Sequence, residues 1–130
     1  MFGSQQGNAN CVFIRGATTC ENTAEDIGNA ACELVNEIFN ANVVSLPMVS
    51  AMFFTVTPDL TAANPCTAVR KGLNAEHVAF MCMQEAAIDG MLPHCIRVCV
   101  VVNSPLPQSA RYLFIRIFVF PLFRFPLAVT

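Results

Sequence analysis

Phe80-Met81-Cys82-Met83-Gln84-Glu85 and, across a short loop, Cys95-Ile96-Arg97-Val98 are the stretch whose reading decides the fold. The first is an apolar run that ends abruptly in Gln84-Glu85. Ala86 to His94 reads as a loop, with Asp89-Gly90 and Pro93 as turn signals. The second apolar run, Ile96 to Val102, carries one arginine, Arg97, near its start. A carboxylate and a guanidinium in apolar strands are costly unless paired, hydrated or aimed at a ligand. Two strands joined by this loop bring Glu85 and Arg97 to one end of a sheet. There they form either a structural ion pair or two walls of a cavity for a small polar molecule. The residues alone favour the ion pair.

Working outward, the flanking segments supply the rest of a layered structure. Cys11-Val12-Phe13-Ile14 predicts a first strand stopped by Gly16, with Arg15 at its end before the polar turn Gly16-Ala17-Thr18-Thr19. Thr23 predicts a helix N-cap, and Glu25 and Asp26 follow in the first turn, where the helix dipole favours anions. Ile27, Ala30, Ala31, Leu34, Val35, Ile38 and Phe39 recur at helical spacing and make an apolar stripe, closed by Asn40-Ala41-Asn42. Met48 to Val56 predicts a strand, and Pro58-Asp59 a turn. Asn64 and Pro65 open a short helix to Lys71, with Gly72 after its end. Arg70 and Lys71 fall in its last turn, where opposing the helix dipole is one role open to them. His77 to Met83, Ile96 to Val102 and Arg111 to Val119 predict three further strands. The sum is an α+β mixed sheet with helices on one face.

Composition narrows the function classes. The chain has 130 residues, which suits a single domain, and is 55% hydrophobic but only 12% charged. A chain this short and this apolar, with a mean hydropathy of +0.53, is expected to place some apolar surface in subunit contacts. A net charge of −2 with no basic cluster argues against a nucleic-acid partner. Leu113 to Leu127 is broken by Arg116, Pro121, Arg124 and Pro126, so it does not read as a membrane span. Met1 to Asn10 lacks the basic and apolar regions of a secretion signal and reads as a flexible lead-in. The cysteines at 11, 20, 32, 66, 82, 95 and 99 show no zinc-type spacing. They read as small apolar filler and point to a reducing cytoplasm, with no metal expected. His77 and His94 stand alone and read as surface or loop residues.

Five blocks carry a resemblance. They are Arg15-Gly16-Ala17-Thr18-Thr19, Thr55-Val56-Thr57-Pro58-Asp59-Leu60, Pro65 with Ala68 and Arg70, Cys82-Met83-Gln84-Glu85, and Cys95-Ile96-Arg97-Val98. In this order and spacing the chain resembles the trimeric, pseudo-α/β-barrel class of chorismate mutase, over about Ile14 to Val119. The resemblance implies a ferredoxin-like subunit and a homotrimer with active sites between subunits. It also implies a cofactor-free rearrangement of chorismate to prephenate in aromatic amino-acid synthesis. Carried over by position, it implies Arg97 at the breaking ether bond and Glu85 at the ring hydroxyl. Arg15 and Tyr112 would contact carboxylates, Cys82 would line the pocket, and Arg70 would stand at its entrance.

The chain departs from the family pattern at the rim. Asn64 stands where the family has an aromatic residue, and Thr67 where some members are basic. Phe120 occupies the position of a tail arginine, and 120–130 reads as a divergent tail. These departures bear on affinity more than on reaction type. They also leave room for an alternative, a non-catalytic trimeric module that binds or senses a small carboxylate. A membrane-surface role rests on the aromatic tail alone, whose isolated arginines make no basic amphipathic face.

Overall fold

The computed structural model describes residues 11–103, together with the backbone of 116–119 and 123–126. Its elements are β1 (Cys11–Thr19), α1 (Ala24–Asn42), a 3-10 turn (Leu46–Met48), β2 (Val49–Val56), α2 (Pro65–Gly72), β3 (Ala79–Gln84), β4 (Cys95–Asn103), β5 (Arg116–Val119) and β6 (Phe123–Pro126). The four long strands form a sheet in the order β1-β4-β2-β3. β2 and β3 are parallel, and β4 runs antiparallel to both β1 and β2. The expected mixed sheet is therefore present. The connectivity is not ferredoxin-like, because that plan runs βαββαβ and this chain runs βαβαββ. The reason lies in the link from β2 to β3. Two parallel neighbours need a crossover, and α2 supplies it. β4 then returns between β1 and β2.

The helices form where the sequence puts caps and stripes. Thr23 Oγ1 accepts the Asp26 N–H at 3.0 Å, and Asn64 Oδ1 accepts the Cys66 N–H at 2.8 Å. Ile27, Ala31, Leu34, Val35 and Ile38 are the buried stripe of α1. The helix ends at the expected Asn40-Ala41-Asn42 stop. Val43 follows with a left-handed φ of 54°, and the Val44 N–H closes on Phe39 O at 2.9 Å. β1, by contrast, continues through Gly16, which pairs with Val98. A Cβ on Gly16 would lie 2.8 Å from Ile38 Cδ1 and 3.0 Å from Leu34 Cδ1. The glycine is there to let α1 approach the sheet, not to stop the strand.

Alternation then sorts the sheet into two faces. Ile14, Gly16, Met52, Phe54, Val98 and Val100 face α1 and α2 and close the core. The residues between them face away from the helices. Phe13 (47% exposed), Phe53 (37%), Met81 (54%) and Met83 (42%) make that open face markedly apolar. All seven cysteines are free; Cys20, Cys66 and Cys95 are buried and pack as small apolar residues.

β5 pairs with β6 from Arg116↔Pro126 to Val119↔Phe123 and lies close to β1. Residues 111–115 of the expected fifth strand, Tyr112 among them, lie outside the described residues. So do Phe120 and the lead-in Met1 to Asn10.

Candidate active site

The polar groups of the open face converge at one end of the sheet. Register places Thr55 of β2 opposite Arg97 on β4 and opposite Met83 on β3. On the other side of β4, Ala17 faces Arg97 and Arg15 faces Cys99. Arg15 and Arg97 therefore sit one strand over and two residues along, about 7–8 Å apart at Cα. The Glu85 N–H donates to Val56 O at 2.8 Å, which carries the ladder one residue past β3. Its side chain emerges on the same face as Met83.

One carboxylate oxygen ties these strands together. Arg97 Nε donates to Glu85 Oε2 at 2.9 Å, and Thr55 Oγ1 donates to the same oxygen at 2.5 Å. Glu85 is largely covered, at 17% exposed, whereas the Arg97 side chain is 46% exposed. At that exposure the pair itself stabilises the fold by about 1 kcal/mol or less. Only Nε of Arg97 is used in this bond, so its outer N–H groups are placed to meet a ligand.

Between the strands lies a cavity of about 300 Å³, lined by Arg15, Gly16, Ala17, Phe53, Thr55, Arg97, Val98 and Cys99. This is the lower end of the small-molecule range. Two guanidinium groups over an apolar floor suit a compact anion with a hydrophobic body. Among the described residues, no group of His, Cys, Asp and Glu could hold a metal ion.

A second network fixes the start of β4. Thr57 Oγ1 donates to Asp59 Oδ1 at 2.6 Å and accepts the Cys95 N–H at 2.9 Å, while the His94 N–H reaches both Asp59 oxygens at 3.1 Å. Burial pushes the Asp59 carboxyl up, but these bonds and the neighbouring His94 outweigh it and hold the carboxyl below its ordinary range. The Thr57-Pro58-Asp59 turn thus anchors the strand end that presents Arg97.

Arg15 and Arg97 line one cavity on the open face, and Glu85 is bonded to Arg97 beside it. Arg70 and Cys82 do not join them within the chain. Cys82 pairs with the buried Phe54 and packs on the helix side beside Cys66, so it does not line this cavity. Arg70 lies on the same side, its Cζ 5.2 Å from the Phe80 ring centroid. Both stand along β3, an edge of the sheet. Thr55 and Phe53 line the cavity but were given no role from sequence. The signal for Thr55 was there: it is a hydroxyl directly after the apolar run Ala51 to Phe54, alternating onto the face that carries Arg97.

A family model described as chorismate mutase type I matches residues 11–117. The chain is 40% identical over 97 residues to chorismate mutase AroH of Bacillus subtilis, covering 74% of this chain and 76% of that protein. It is 38% identical over 106 residues to chorismate mutase AroH of Thermus thermophilus, covering 79% and 86%. Its fold superposes on a chorismate mutase from Clostridium thermocellum with a TM-score of 0.74 at 33% identity, covering 82% of this chain and 93% of that one. With the guanidinium pair, the bonded glutamate and these relatives in agreement, the chain belongs to the type I chorismate mutase family.

Proposed function

We propose that this single-domain chain rearranges chorismate to prephenate, without a cofactor, as a homotrimer in the cytoplasm. The observation that carries the reading is the pair Arg15 and Arg97 in one cavity of about 300 Å³, with Glu85 bonded to Arg97 at its rim. Chorismate is a dicarboxylate with an enol ether and a ring hydroxyl. Its rearrangement is pericyclic, so the protein needs no nucleophile and no proton relay. It has to hold a compact conformer and stabilise the charge that develops as the C–O bond breaks. Arg97 serves the ether oxygen, because a guanidinium stays charged and offers several donors in one plane. Arg15 binds a carboxylate. Glu85 accepts the ring hydroxyl and stands opposite the partial positive charge of the ring. Tyr112 is assigned to a carboxylate.

Arg70 and Cys82 enter through assembly. They lie on the helix side of an edge strand, where a neighbouring copy can set them over the open face and close the site. The apolar open face gives such a neighbour a surface to bury. Following the absorbance of chorismate with the purified chain tests the reading. Loss of chorismate well above the uncatalysed rate is expected; a rate equal to buffer overturns it.

A further inference from the structure

We propose that Thr55 is a positioning residue for the reaction, acting through Glu85. The inference rests on Glu85 and Arg97 belonging to the active site and adds a residue to it. Glu85 lies just past the last residue of β3 and on the rim of a loop, so its backbone alone does not fix its carboxylate. Two bonds do. The Thr55 hydroxyl, at 2.5 Å, and Arg97 Nε, at 2.9 Å, both take Oε2. The arrangement occupies one oxygen and leaves Oε1 as the acceptor for a ligand hydroxyl. It also fixes Arg97, because Thr55 and Arg97 are register partners on adjacent strands and share that oxygen as a common anchor. The Thr55 donor comes from the middle of three hydrogen-bonded strands, β3, β2 and β4, the most rigid place available to it. A ligand that competes for Arg97 would loosen the Arg97–Glu85 bond. The neutral Thr55 bond does not depend on Arg97 and would hold the carboxylate through the reaction.

The test is a double-mutant cycle on the full chain, with Thr55→Val, Thr55→Ser, Glu85→Gln and the double variant Thr55→Val/Glu85→Gln. Valine keeps the shape and removes the hydroxyl; serine keeps the hydroxyl. Thr55→Val is expected to lower kcat roughly tenfold, the size of one hydrogen bond to a charged group, with KM within about twofold. Thr55→Ser should recover most of that loss. In the double variant, Thr55→Val should add almost nothing to the effect of Glu85→Gln, because residues that act as a unit are not additive. Full additivity, or an unchanged kcat in Thr55→Val, overturns the role of Thr55 while leaving the site intact. A fully active Glu85→Gln overturns the site assignment itself, whatever Thr55 does. If Thr55→Val lowers the melting temperature, the serine variant and the cycle still decide, since a general loss of stability would be additive.

Discussion

Arg97 is preorganised before any ligand arrives. Its Nε is bonded to Glu85 and its strand start is clamped by Thr57 and Asp59. A charge held in place costs no reorganisation when the ether bond breaks, which is where such donors act most strongly. Arg97→Ala should therefore lower kcat at least about a hundredfold, on the order of 3 kcal/mol, with the fold kept. Steady-state kinetics beside a melting curve check this, and near-full activity would remove Arg97 from the reaction. The buried thiols make a separate prediction. Burial, then neighbouring carboxylates, push Cys20 up to about 12, and burial pushes Cys66 up to about 12 and Cys95 up to about 11. An unfolded chain releases these protons near the ordinary thiol value, about pH 8.5. Above that pH the unfolded state binds fewer protons than the native state, so stability falls as pH rises, until the native thiols ionise at about 11–12. Melting temperature measured from pH 8 to about pH 11 should decline, and Cys20→Ala should flatten the decline. An equal slope in that variant would assign the effect to other groups.

At the scale of elements, the approach of α1 to β1 decides how the site is presented, since Arg15 and Ala17 flank the glycine that permits it. Gly16→Ala sets a Cβ 2.8 Å from Ile38 Cδ1 in a fully buried stripe. Overpacking of this kind costs about 1–3 kcal/mol, and the stiffer unfolded chain returns about 0.4–1 kcal/mol. A net loss of about 1 kcal/mol in urea denaturation is expected. Ile38→Val removes the offending Cδ1, so in the double variant the two changes should couple favourably. Simple additivity would mean that α1 moves away instead. This contact also shows what the sequence can and cannot convey. The stripe of α1, both N-caps and the strand positions around Glu85 and Arg97 follow from periodicity and local hydrogen bonding, which neighbours in sequence determine. Gly16 looked like a strand stop, because its reason lies in Leu34 and Ile38 of α1, more than fifteen residues away. Asn64, where the family has an aromatic residue, caps α2 through the Cys66 N–H, as its place before Pro65 predicts. The order of β4 between β1 and β2, and with it the meeting of Arg15 and Arg97, depends on long-range pairing that no local pattern encodes.

For the whole molecule, the placement of the charged residues on opposite sides of one sheet is itself an argument for assembly. Arg15, Glu85 and Arg97 belong to the open face, whereas Arg70, over Phe80, belongs to the helix side of the β3 edge. One copy cannot point both sets at a single small ligand. A cyclic arrangement can, if each open face receives the β3 edge of the next copy; such head-to-tail contacts close into rings. The exposed Phe13, Phe53, Met81 and Met83 would then be covered, which favours the ring through the hydrophobic effect. Sedimentation should give about three times the 14.1 kDa chain mass. The sharper test is complementation. If the site is shared between copies, Arg15→Ala and Arg70→Ala should each depress activity, because each would then remove one half of every site. When the two variants are mixed, unfolded and refolded together in equal amounts, about a quarter of the sites pair an intact Arg15 with an intact Arg70. Activity should recover toward that fraction, and only after subunit exchange. If Arg15 and Arg70 served the same site within one chain, every chain in the mixture would still lack one of them and no activity would return. A mixture that stays inactive after exchange, shown by mass to have formed mixed trimers, would therefore reject the shared site while leaving the trimer standing.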